Sequence, residues 1–193
     1  MIDQSSARDV LLFWFGGPAD HGKRHKRWFK KDPALDREIR ERFLPLYEEA
    51  AAGRLAGWQE SAHGCLALIL VLDQFPRHIF RGSARAFAAD GLALQAARHA
   101  VSRQFDRRML AVERLFLYLP FEHSEALADQ LTACELTEPL TAFEETADAH
   151  RYAIAHRDIV QRFGRFPIAT RPSDVQARPR KSSSSSSPGP RSS

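Results

Sequence analysis

The chain has 193 residues, with 28 Lys or Arg, 24 Asp or Glu and a formal net charge of +4. That length sets one domain as the default, large enough to bury a core without disulfide staples. Residues 168–193 hold five basic residues and one acid, the whole of the net charge, so residues 1–167 carry no global electrostatic footprint for nucleic acid.

Serines and Asp9 precede Val10-Leu11-Leu12-Phe13-Trp14-Phe15, which predicts a short, mostly buried helix. This apolar run is too short to span a bilayer. It also lacks a basic leader and a small-residue cleavage site, so no membrane partner is expected. Gly16 to Lys31 is rich in Gly and His and predicts a loop with a helical turn at Trp28-Phe29. His21 and His25 stand four apart within it, a spacing too weak to predict a metal. Asp32-Pro33 is a helix start, with Asp as N-cap and Pro at the first helical position. Leu35, Ile39, Phe43, Leu46, Tyr47 and Ala50 then keep a helical stripe that Gly53 ends.

Residues 60–75 are apolar nearly all round, which predicts a central helix buried on several sides and limited by Pro76. A polar connector is expected from Arg77 to Asp90. Residues 91–105 predict a further helix. Met109 to Leu119 predicts another, ending at Pro120. His123 to Cys134 is amphipathic, with a break at Pro139. Phe143 to Phe163 predicts a long last helix with Gly164 in the C-cap position. Period-2 alternation with hairpin turns is missing. The expected fold is therefore all-α, an antiparallel array of about seven or more helices. No 34-residue repeat with the tetratricopeptide consensus is present. Cys65 and Cys134 are isolated and form no CxxC pair, which fits a reducing, cytosolic compartment.

Three clusters carry candidate chemistry. In the first, Asp73 and Gln74 close the most apolar helix, and Arg77, Arg81 and Arg85 follow at four-residue intervals, with Asp90 beyond them. It reads either as an Asp–Arg network tying a helix end to its connector or as a pocket whose Arg forks hold a carboxylate or phosphate. The second is Phe121-Glu122-His123-Ser124. Ser124 is placed to cap the next helix, and Glu122 and His123, being adjacent, do not face each other. In the third, His156 lies on an apolar helix face, with Asp158 and Arg162 as an i,i+4 pair. HExxH, P-loop, GxGxxG and GxSxG motifs are absent, so neither metal nor cofactor is expected.

The stretches "LDQFPRHIFRGSARAFAAD", "LPFEHSE" and "HRDIVQRFGRFP", with "DVLLFWFG" and "RWFKKDPALDREIRERF", resemble the signature segments of a bacterial family, the domain of unknown function 924. The resemblance covers residues 9–167. It implies a tetratricopeptide-like all-α fold and brings no established activity. It gives weight to Asp73, Gln74, Arg77, Arg81, Asp90, Glu122, His123, Ser124, His156, Asp158, Arg165 and Pro167. These residues are expected to converge on one polar pocket. The expected occupant is a small anionic ligand or substrate. The alternative is a helical module whose groove holds a peptide.

After Phe-Gly-Arg-Phe-Pro, chains of that family continue with His-Arg-Asn, then Leu-Gly-Arg, then Ser-Thr-Pro-Glu-Glu. This chain continues Ile168-Ala169-Thr170-Arg171-Pro172 instead. Codons for Pro167 to Lys181 can be chosen so that the next frame reads His-Arg-Asn-Ala-Pro-Leu-Gly-Arg-Pro-Ser-Thr-Pro-Glu-Glu. The expectation is a one-base deletion at the Pro167 codon. Residues 1–167 then form one domain, and residues 168–193 form a disordered, low-complexity tail.

Overall fold

A computed structural model of the chain describes residues 4–166. Pro167 and the expected tail, 168–193, lie outside the described residues. The helices are α1 (Gln4–Phe15), α2 (Pro33–Ala51), α3 (Ala62–Ile69), α4 (Phe75–Ile79), α5 (Asp90–Ser102), α6 (Ala111–His123), α7 (Leu127–Thr137) and α8 (Ala149–Phe163). A π turn, Leu70–Gln74, joins α3 to α4, so these three pieces make one helical rod and the described residues form seven rods. No strand occurs among the described residues.

Local chemistry sets the boundaries. Asp32 caps α2 by accepting hydrogen bonds from the Ala34 and Leu35 amides at 2.9 and 3.3 Å. The expected stripe on α2 points inward, with Leu35, Ile39, Phe43, Tyr47 and Ala50 buried. At the end of α1 the carbonyls lack helical partners, and the following loop supplies them. His25 Nε2 donates to the Phe15 carbonyl at 3.0 Å, Trp28 Nε1 donates to the Trp14 carbonyl at 2.9 Å, and Arg27 donates to the Phe13 carbonyl. The loop is thereby folded back onto the helix end, with the Arg27 charge at the negative pole of the helix.

Three expected boundaries move. Helix continues through Pro76 to Ile79, because the turn before it widens and the Phe75 amide bonds to Leu70 O, five residues back. A proline in such a run lacks an amide that the wider turn does not need. Helix likewise continues through Pro120 to His123. Every residue from Leu115 to His123 is buried there, and packing on all sides outweighs one missing bond. The last helix begins at Ala149 rather than Phe143, after short 3₁₀ turns at Glu138–Ala142 and Glu144–Thr146. Gly164 ends α8 as expected, at φ +68 and with its amide on the Val160 carbonyl at 2.7 Å.

Packing is between α1 and α3, α2 and α4, α3 and α5, and then successive neighbours from α5 to α8. Trp14, Trp28 and Phe75 meet Phe116, Phe43 and one another in an aromatic cluster. Its closest pairs are Trp28–Phe116 and Phe43–Phe75, both with ring centroids 4.7 Å apart. Such pairs add about 0.5–1.5 kcal/mol each beyond area burial. The cluster fixes the rod 62–79 against α6, and the C-terminal ends of both carry the polar residues described next.

Candidate functional site

The π turn delivers two polar side chains, Asp73 and Gln74, into the core. Asp73 is fully buried. Its Oδ2 accepts from Gln74 Nε2 at 2.6 Å, and its Oδ1 lies 2.7 Å from His123 Nδ1. Arg77, one helical turn on, places NH1 3.3 Å from Asp73 Oδ1 and also donates to the Asp73 carbonyl. The same guanidinium forks onto Asp90, with NH1–Oδ1 at 3.0 Å and NH2–Oδ2 at 3.1 Å. Its NH2 also lies 2.8 Å from His123 Nδ1. Asp90 opens α5 and His123 closes α6, so three elements meet at one arginine.

Electrostatics sort the two carboxylates. Burial pushes Asp73 upward, but Arg77, His123 and the hydrogen bonds from His123 and Gln74 outweigh it, and its pKa falls to about 2. Asp90 moves the other way. Burial raises it, Arg77 pulls it down, and the neighbouring Asp73 charge pushes it back up. Arg77 itself is held in its charged form, since Asp73 and Asp90 outweigh the effect of burial. Environments that drive paired carboxylates apart divide acid from base roles.

His123 Nδ1 stands between a guanidinium that can only donate and an ionised carboxylate that can only accept. A bare Nδ1 would point its lone pair at the Asp73 charge. A proton on Nδ1 is donated to Asp73 and leaves Nε2 as the ring's acceptor, whereas a proton on Nε2 leaves Nδ1 to accept from Arg77. Among the described residues Nε2 has no partner.

Asp90 and His123 line a cleft of about 340 Å³ with Phe87, Gly91, Leu94, Pro120, Ser124, Glu125 and Phe166. Ser124 donates to Asp129 Oδ2 at 2.6 Å and accepts the Ala126 amide at 3.2 Å. Glu125 accepts the Phe166 amide at 3.0 Å and thus fixes that aromatic wall.

Glu122 serves a second pair on another side of α6. Its Oε2 accepts from His156 Nδ1 at 2.9 Å, and both side chains are fully buried. Glu122 Oε1 and His156 Nε2 have no hydrogen-bond partner among the described residues. Phe166 packs edge-on against His156, with centroids 5.6 Å apart, and so stands between this pair and the cleft. A small cavity of about 20 Å³ touches Glu122, Arg24 and Asp148, room for about one water.

The structure thus brings Asp73, Gln74, Arg77, Asp90 and His123 together, with Ser124 on the cleft wall and Glu122–His156 behind it. It places the others elsewhere. Arg81 forks onto Asp36 at 2.6 and 2.7 Å beside His78, at the contact of α2 with α4. Arg85 lies over the Phe80 ring at 4.1 Å. Asp158 is exposed and pairs with its neighbour Arg157 at 2.6 Å rather than with Arg162, and Arg165 is exposed. The three arginines diverge because the helix ends at Ile79, so a four-residue spacing no longer keeps one face. Ser124 does not cap the next helix. It follows α6, and Glu122 and His123 sit at the negative end of α6 rather than at the positive end of α7.

One residue of the site is invisible as a motif. Gln130 Nε2, fully buried, donates to the carbonyls of Glu122 at 2.7 Å and Ser124 at 2.6 Å, and reaches Phe121 O at 3.4 Å. It closes the end of α6 and so sets the backbone that carries Glu122 and His123. Its only signal in the sequence is a glutamine on the inward face of an amphipathic helix.

Fold and site together define an all-α protein with a buried carboxylate–arginine–histidine network opening onto a cleft. The chain belongs to the family described as bacterial protein of unknown function (DUF924), whose profile matches residues 10–172. A solved structure of a protein of unknown function from Agrobacterium tumefaciens is similar to it. The two are 42% identical, with a TM-score of 0.76, over 86% of this chain and 88% of that one. No curated protein matches.

Proposed function

We propose that the cleft at α5, α6 and Phe166 is a small-ligand site in which His123 Nε2 takes or gives a proton. Asp73 orients the imidazole from behind, and Arg77 holds Asp73 and Asp90 in place. The observation that carries this reading is His123, whose Nδ1 stands 2.7 Å from the buried Asp73 carboxylate while its Nε2 makes no hydrogen bond among the described residues. A buried charge network of this kind is weak evidence for stability alone, since desolvation consumes most of its attraction. A carboxylate-backed imidazole on a cleft wall is the arrangement general acid–base chemistry requires.

The chemistry of the lining also selects the ligand. Arg77, the guanidinium nearest an anion in the cleft, is already matched by two carboxylates. Asp90 and Glu125 face the space instead. These favour a small metabolite that presents hydroxyl or amino donors to Asp90, in place of the free anion that the arginine spacing led us to expect. The described clefts have the volumes of small-ligand sites, which favours this over a tetratricopeptide-like groove for a peptide. Cys65, whose thiol burial pushes up to about 12, and Cys134, also raised by burial, are unreactive thiols, in keeping with a cytosolic setting.

Thermal-shift titration with amino sugars, polyols and small carboxylates tests the site. Donor-rich ligands should stabilise the protein, by about 2.7 kcal/mol at a hundredfold excess over Kd. Asp90→Asn should abolish the shift. Stabilisation by carboxylates only, surviving Asp90→Asn, would restore the anion reading.

The tail belongs to the same reading. Residues 1–167 are the domain, and residues 168–193 arise from a one-base deletion at the Pro167 codon. Codons for Ile168 to Lys181 that cannot encode His-Arg-Asn in the next frame would end that idea.

A further inference from the structure

A second cleft, of about 310 Å³, lies away from this site, between α1, the loop after it and the start of α3. Its apolar wall is Leu11, Leu12 and Trp58, and its polar rim includes Arg8, His21 and His63. Gly64 shapes it. A Cβ there would stand 2.4 Å from the Trp58 carbonyl, so only glycine lets the Trp58 turn seat against the first turn of α3.

No carboxylate is among the described residues that line this cleft, and Glu113, which meets its two histidines, is already satisfied. Glu113 is 2% exposed. Its Oε2 accepts the Leu110 amide at 2.8 Å, and its Oε1 lies 3.0 Å from His21 Nε2 and 3.6 Å from His63 Nε2. These donors are not gathered to hold a metal, as no such group occurs among the described residues. The two imidazoles stand between Glu113 and the cleft. Arg8 is exposed and makes no ion pair among the described residues. The charge left facing the space is therefore positive, at the rim of an apolar wall. This is the reverse of the first cleft, where Asp90 and Glu125 face inward.

We propose that this second cleft binds a small carboxylate carried on an apolar body, of the size of an arylalkanoic acid. The ring lies against Leu11, Leu12 and Trp58, and the carboxylate meets the Arg8 guanidinium and the imidazole edges. Burying an aromatic body supplies the affinity, and the charge-assisted hydrogen bonds set its orientation.

Calorimetric titration of the full-length protein with 3-phenylpropionate, and with its neutral amide, tests this. Saturable one-to-one binding of the acid is expected, with the amide about tenfold weaker. Arg8→Gln should weaken the acid by about the same factor and leave the amide unchanged. Leu12→Trp, at a half-exposed position the fold does not depend on, should fill the cleft and abolish binding while the unliganded Tm stays put. Glu125→Gln, in the other cleft, should leave binding of the acid at the second cleft unchanged. Equal affinity for acid and amide, no saturable binding at millimolar acid, or loss of binding in Glu125→Gln would each overturn the proposal.

Discussion

At Asp73 a carboxylate stays ionised with no exposure to water, because three groups answer it. The neighbouring network on the outer side of the same rod behaves differently. His78 is buried beside Asp36, with Arg81 forked onto the same carboxylate. Burial lowers the pKa of His78, Asp36 opposes this, and Arg81 and Arg27 add to the lowering. The folded state therefore binds a proton at His78 less readily than the unfolded chain. Its contribution to stability is complete above the unfolded value of 6.5 and is lost as pH falls through the lower folded value. Wild type should lose urea stability as pH falls from about 7 through the unfolded value, and His78→Gln should lose less over the same fall. Equal losses in the two proteins would contradict the assignment. At this scale the sequence was informative about identity and poor about partners. Asp73, Arg77 and Asp90 stand out as a charged set beside an apolar run, but spacing paired Asp158 with Arg162. The structure pairs it with Arg157, because both lie on an open surface where either geometry costs little.

The elements explain why the site sits where it does. The rod 62–79 widens into a π turn at Leu70–Gln74 that places Asp73 and Gln74 just before Pro76 and carries Arg77 just past it, and α6 runs past Pro120 to carry Glu122 and His123. In a sequence, proline marks a helix end because its cost is local and visible, whereas the burial that offsets it is tertiary and is not. The start of α2 was more legible, since Asp32 caps that helix within three residues. Gln130 is the tertiary cap that no pattern reveals. Replacing it with Met keeps the volume and removes the donor from the Glu122 and Ser124 carbonyls. The expected cost is about 1–3 kcal/mol in urea unfolding, with the His123 and His156 ring resonances broadened. A change under a few tenths of a kcal/mol, with unaltered ring signals, would show that α6 holds its end without Gln130.

Across the whole molecule, the all-α class followed from period and from the apolar run that became the rod 62–79, buried from Gly64 to Phe80. The family followed from five signature segments, and the family profile covers residues 10–172, with a solved Agrobacterium tumefaciens structure similar over 86% of this chain. Convergence of the polar residues was only half legible. Residues on the rod and on α6 come together because those helices touch. Arg81 and Arg165 lie past helix ends, where a sequence interval no longer fixes direction. The central claim is that Asp73 holds the His123 proton at Nδ1 and leaves Nε2 for the cleft. Long-range ¹H–¹⁵N correlation spectra of the imidazole, with wild type and His123→Gln compared for assignment, test it directly. The account predicts a protonated Nδ1 and an Nε2 resonance that shifts when a cleft ligand is added. A bare Nδ1, accepting from Arg77 with the proton on Nε2, would contradict it.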